Sequence, residues 1–133
     1  MIKEIPIRTS SRVELVDITS KVEEVISASK VESGISIIFV PHTTAAVTIN
    51  ENADPSVQRD IIYELNKLVP FNDNYSHTEG NSAAHIKSSI IGASRSIIIQ
   101  DGSLKLGTWQ GIYFCEFDGP RSRKVWITII KTK

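Results

Sequence analysis

Three histidines and one carboxylate set in an apolar strand offer the most chemistry in this 133-residue chain. His77 and His85 flank the turn-forming stretch Glu79-Gly80-Asn81, while His42 lies far upstream in Pro41-His42-Thr43-Thr44. Near neutrality an imidazole donates at one nitrogen and accepts at the other, so it serves as acid, base or metal ligand. The spacing matches no zinc signature, since neither HExxH nor CxxC occurs. Gathered by folding, however, the three rings would suit an open catalytic zinc centre with a free fourth position. The plainer alternative is three solvated histidines, one at a strand end and two near a helix start.

Within Phe114-Cys115-Glu116-Phe117-Asp118 an extended backbone puts Glu116 on one face with Ile112, Phe114 and Asp118. Burying such a charge alone costs on the order of several kcal/mol, so it must be paired, exposed or functional. Arg121 and Arg123 follow across Gly119-Pro120 and can neutralise it. The functional reading makes Glu116 a general base or metal-associated carboxylate and Arg121 a phosphate clamp. Backbone N–H groups at Asn81, Ser82 and Ala83, at a helix start, would form an anion pocket. In Gly107-Thr108-Trp109-Gln110-Gly111 the glycines permit close approach, and Trp109 either covers the core or stacks on a planar ring. Cys115 shares the Tyr113 and Phe117 face and reads as core rather than nucleophile.

The elements that must position these groups are legible in outline. Strands are expected over 3–9, 12–18, 35–40, 44–50, 96–100, 104–106, 111–117 and 125–131, separated by Gly, Pro and Asp clusters. On the strand over 44–50, the even positions from His42 to Asn50 should face a polar surface, with Val47 and Ile49 turned to the core. Helices are expected over 17–29, with Ser20 and Glu23 as a capping box, and from Asp54 to Pro70, with Val57, Ile61, Leu65 and Leu68 on one face. A third spans 82–91, capped by Asn81 or Ser82 and ended by Gly92. Residues 71–81 read as loop. Strands and helices do not alternate regularly, so the fold class is α+β, with short helices on a largely antiparallel, sandwich-like sheet.

Fifteen basic and fifteen acidic residues cancel, which argues against a nucleic-acid or membrane-surface partner. The single cysteine fits a reducing compartment, and no apolar run approaches the ~20 residues of a membrane span. The expectation is one cytoplasmic domain, residues 1–133.

Taken together, the segments Pro41 to Pro55, His77 to Asn81 with Ala84 to Lys87, Leu106 to Tyr113 and Glu116 to Arg121 resemble the YjbQ family, also called secondary thiamine-phosphate synthase enzyme. The resemblance covers nearly the whole chain. It implies a β-sandwich-like α+β fold assembled as a homotrimer, and a site built from the histidine motifs with a divalent metal, zinc, in some members. The implied activity is weak thiamine-phosphate synthesis, joining a pyrimidine diphosphate to a thiazole phosphate with release of pyrophosphate. On that reading His42, His77 and His85 hold the metal, and Glu116 acts as base or orients a metal-bound water. Asn81, Ser82 and Arg121 bind phosphate, and Thr108, Trp109 and Gln110 contact substrate. Two other functions suit the same residues: a metal-dependent hydrolase of a small phosphorylated metabolite, and a non-catalytic trimeric ligand-binding protein.

Overall fold

The computed structural model describes residues 1–132. Along the chain run β1 (Lys3–Arg8), β2 (Glu14–Asp17), α1 (Thr19–Ser29), β3 (Ser33–Phe39), β4 (Ala45–Glu51), α2 (Pro55–Leu68), α3 (Ser82–Ile91), β5 (Ser94–Gln100), β6 (Ser103–Leu104), β7 (Gln110–Glu116) and β8 (Ser122–Lys131). They form a five-stranded sheet in the order β1-β8-β3-β5-β6 and a three-stranded sheet in the order β2-β7-β4. Every pairing is antiparallel. The α+β class expected from the sequence is the one observed.

Period-two alternation puts one face of each sheet into a shared core. Ile5 and Ile7 point inward from β1, Ile38 from β3, Val47 from β4, Ile97 and Ile99 from β5, and Val125 and Ile127 from β8. Val22 and Ile26 of α1 close one side of this layer.

The back of the three-stranded sheet is also covered, which the strand pattern alone did not indicate. Ala46, Cys115 and Phe117 meet Leu65 of α2 and Ala84 of α3 in a second cluster. The even face of β4 is therefore covered at Ala46, and only its far end, at Asn50, is exposed. Alanine at positions 46 and 84 leaves room for α3 to lie directly on the strand.

Local chemistry accounts for the helix ends. Asp17 Oδ1 accepts from Thr19 N at 2.9 Å and Thr19 Oγ1 at 2.6 Å, so α1 is held from upstream and the Ser20–Glu23 capping box is not used. In α2, Asp54 Oδ1 accepts from Ser56 N at 2.9 Å and Pro55 takes the first turn, as expected. Leu68 does not join the buried stripe; it is 68% exposed, and the chain turns so that Val69 is buried instead.

Gly34 marks where β3 and β8 approach most closely. A Cβ there would lie 2.4 Å from Ile130 O, a backbone atom that cannot rotate away. Gly34→Ala should destabilise the protein by about 2–3 kcal/mol, read as a lower urea midpoint at unchanged m-value.

Lys87 of α3 is fully buried. Its ammonium donates to Asn66 Oδ1 and sits 3.8 Å from the centre of the Phe71 ring, over which the Arg12 guanidinium also lies, at 3.7 Å. This cluster ties the start of the 71–81 loop to α3. Burial, with Arg12 adding to it, pulls the Lys87 amine down to about 8. Between about 8 and the ordinary lysine value of 10.5 the unfolded chain therefore binds more protons than the native one, and stability rises with pH. The urea midpoint of the parent should gain more between pH 8 and pH 10 than that of Lys87→Met, which lacks the titrating amine.

Candidate functional site

The site is assembled where the segment after β3, the loop before α3 and the start of β8 meet. Pro41 ends the strand, and Val40 N is tied to Ala93 O at 2.8 Å, which aims the next residue across the sheet end. His42 Nε2 accepts from the Lys124 backbone N–H at 3.0 Å, and its ring packs edge-on against Phe114 at 6.4 Å between centroids. Burial, and then the positive charge of Arg123, hold the His42 pKa below its ordinary value. His42 is thus the neutral imidazole near pH 7, and with Nε2 accepting, its proton sits on Nδ1.

His77, in the loop, and His85, in α3, lie ring to ring with centroids 5.6 Å apart and planes at 88°. Glu79 Oε1 is 4.0 Å from His77 Nε2. All three histidines line one cleft of about 760 Å³, together with Glu79, Asn81, Asp118, Arg121 and Arg123. Three imidazoles far apart in the chain thus share one cleft. A smaller cavity of about 340 Å³ adjoins it, sharing His42, Thr43, His85 and Ala93.

Beneath the cleft lies a buried ion pair. Glu116 is 0% exposed. Its Oε1 accepts from Thr9 Oγ1 at 2.7 Å and Arg123 Nε at 2.8 Å. Its Oε2 accepts from Asp118 N at 2.9 Å and from Arg123 Nη2. Arg123 Nη2 also donates to Thr44 Oγ1 at 2.8 Å. Burial alone would raise the Glu116 pKa, but the bonds from Arg123, Asp118 N and Thr9 outweigh it and hold the carboxyl below its ordinary value. Glu116 does not line the cleft. The general-base expectation for it does not fit: its oxygens are committed to protein donors, and its role is to anchor the sheet ends beneath the histidines.

At the rim, Arg121 Nη2 pairs with Asp118 Oδ2 at 3.0 Å and its Nε donates to Asp118 O at 2.7 Å. Asn81 Nδ2 donates to the same Asp118 oxygen at 2.9 Å, so its side chain crosses to the rim rather than capping α3. Asn81 Oδ1 is buried without a partner among the described residues.

The remaining expectations divide. Asn81 and Arg121 line the cleft, whereas Ser82, Thr108, Trp109 and Gln110 do not. Gln110 opens β7 and Glu116 closes it, which separates the two ends by about 20 Å of extended chain. Gln110 Oε1 accepts from Gly107 N at 2.7 Å within its own turn, and Trp109 is 63% exposed. Cys115 is buried, and burial pushes its thiol up to about 12, away from thiolate chemistry.

Glu79, Asp118 and Arg123 were not singled out as lining residues from the sequence, although they line the cleft. For Arg123 a signal existed: it falls in phase with inward-facing Val125 and Ile127.

The fit to a metal is partial. His77 and His85 are spaced as two ligands of one ion would be, but His42 spends Nε2 on Lys124 N. Among the described residues no group of three or more His, Cys, Asp or Glu could hold an ion. The three-histidine centre is therefore incomplete within one chain. Among the described residues, no helix is long and apolar enough to cross a membrane.

The family model described as "UPF0047 protein YjbQ-like" matches residues 3–132. The UPF0047 protein MJ1081 of Methanocaldococcus jannaschii is 59% identical over 96% of this chain and 92% of its own length. YugU of Bacillus subtilis, also a UPF0047 protein, is 49% identical over 98% of this chain and 99% of its own. A crystal structure of an uncharacterized YjbQ/UPF0047 protein from Clostridium acetobutylicum superposes with a TM-score of 0.95 at 55% identity, covering 96% of this chain and 99% of that one. A YbjQ-like protein of unknown function from Sulfolobus solfataricus gives a TM-score of 0.95 at 33% identity, covering 99% and 97%.

Proposed function

The chain belongs to the UPF0047 YjbQ-like family, and on that footing we propose that its histidine cleft carries a weak, secondary thiamine-phosphate-synthase-type transfer. A pyrimidine diphosphate and a thiazole phosphate are joined: the carbon–nitrogen bond forms as the carbon–oxygen bond breaks, and pyrophosphate leaves. The observation that carries this reading is the convergence of His42, His77 and His85 beside Arg121 in one cleft.

Departure of pyrophosphate calls for charge compensation and protons at the leaving oxygens, and for two partners held in register. Arg121, half-exposed at the rim, supplies positive charge. His77 and His85 stand close enough to serve one oxygen cluster. His42, neutral and fixed through Lys124 N, offers a Nδ1–H donor of constant orientation. No step is routed through a metal, because the donor set within one chain falls short.

Homotrimeric assembly is part of the same proposal. It is supported by the exposed apolar residues Ile35, Ile98 and Ile130 on the outer face of the five-stranded sheet.

The test is direct. Purified protein given both phosphorylated precursors should form thiamine phosphate and pyrophosphate, and His85→Ala should lower the rate by about 10²–10⁴. Absence of product, or an undiminished variant, removes the proposal; ligand binding without turnover would point to a non-catalytic binding protein.

A further inference from the structure

The large cleft and its smaller neighbour divide by chemistry. Every ionisable side chain other than the shared histidines lies on the large side: His77, Glu79, Asp118, Arg121 and Arg123. The small cavity adds only Ala45, Ser88, Ser89 and Gly92 to the shared wall. His42 and His85 stand at the boundary and belong to both. A ligand spanning the two would lie with a charged end on one side, an uncharged end on the other, and its middle between two imidazoles.

The serines make the uncharged end more specific. Ser88 Oγ donates to Ala84 O at 2.8 Å and Ser89 Oγ to His85 O at 3.0 Å, so both hydroxyl protons are spent on the helix backbone. Each oxygen keeps lone pairs, and the cavity presents acceptors where a ligand would look for partners. An occupant that brings an N–H donor satisfies them; one that brings only acceptors leaves the two serine oxygens unpaired. The volume of about 340 Å³ is at the lower end of small-molecule sites, which run from about 300 to 1,000 Å³, and suits a single ring.

We propose that the small cavity is a subsite for an uncharged, amino-bearing ring, with the anionic group of the same ligand in the large cleft and the reacting bond between His42 and His85. This rests on the transferase reading and assigns the amino-substituted pyrimidine ring to the α3 side. Ser89 and Ala93 then set specificity, since both are exposed and border that cavity.

Backbone NMR titrations of the intact protein at pH 8 test it, with three probes: 4-aminopyrimidine, unsubstituted pyrimidine and inorganic pyrophosphate. 4-Aminopyrimidine should shift the Ser88, Ser89 and Gly92 amides and bind about fivefold tighter than pyrimidine, the worth of about one hydrogen bond. Ser89→Leu fills only the small cavity and should weaken 4-aminopyrimidine about tenfold while changing pyrophosphate affinity less than twofold. Equal affinity for the two rings, shifts confined to the large cleft, no ring binding, or equal loss of both ligands in Ser89→Leu each overturn the subsite. If Ser89→Leu does not fold, the comparison of the two rings on the parent protein decides. Because these readouts are of binding, ring discrimination without thiamine-phosphate formation would keep the subsite and remove the transferase, whereas product without discrimination would do the reverse.

Discussion

Arg123→Met should cost about 3–5 kcal/mol of stability, because it leaves the Glu116 carboxylate buried without its counter-ion. Arg123 gives Glu116 two hydrogen bonds and Thr44 two more, in a place where neither Glu116 nor Arg123 is more than 8% exposed. The double variant Glu116→Gln/Arg123→Met should regain much of that loss, since no net charge then remains buried. Urea denaturation of the parent, both single variants and the double variant measures the coupling. A loss below about 1 kcal/mol, as for an exposed pair, would mean that water reaches the ion pair and that it does not anchor the cleft. Acid should unfold the parent by the same route. Glu116 is held below the ordinary glutamate value of 4.5, so its contribution is complete above that pH and is lost as the pH falls through the depressed native value. His42, also depressed, acts in the same direction from the ordinary histidine value of 6.5 downward. Arg123→Met should therefore flatten the lower part of the acid limb.

His85→Ala should lower kcat/KM for thiamine-phosphate formation by about 10²–10⁴, the range for removing a positioned acid or base. His77→Ala should fall in the same range, and the double variant should lose little more, because two rings 5.6 Å apart that serve one oxygen cluster act as a unit. The fold should survive: His77 is exposed, and His85 is partly exposed and packs in neither apolar cluster. Unchanged urea midpoints beside lost turnover would separate chemistry from structure. Independent, additive losses in the two single variants would show that the rings serve different steps. A rise in KM alone would assign them to substrate binding.

How much of this was readable in advance depended on how local the governing physics is. The Asp54-Pro55 start of α2 and the Gly92 end of α3 follow from one or two residues and appeared where expected. The period-two apolar strands were legible too, with ends shifted by a few residues where pairing extended or trimmed them, as at Ser94 and Ser122. Capping at α1 was misassigned because Ser20 and Glu23 satisfy the pattern while Asp17, upstream, makes the bonds. The second core behind β4 was missed because a strand's pattern does not say which of its faces a later helix will cover.

The candidate site divides along the same line. Which residues carry chemistry was set by the sequence: three imidazoles, two arginines and the Glu116–Asp118 carboxylates, on elements whose periods identify them. Which of those groups remain free for a ligand was decided only in three dimensions. Glu116 and Arg123 pair across two strands, Asn81 and Arg121 both reach Asp118, and His42 spends one nitrogen on Lys124 N. The physical reason is that a hydrogen-bonding group is used up by whichever donor or acceptor folding brings within about 3 Å, and those partners lie up to 82 residues away in the chain.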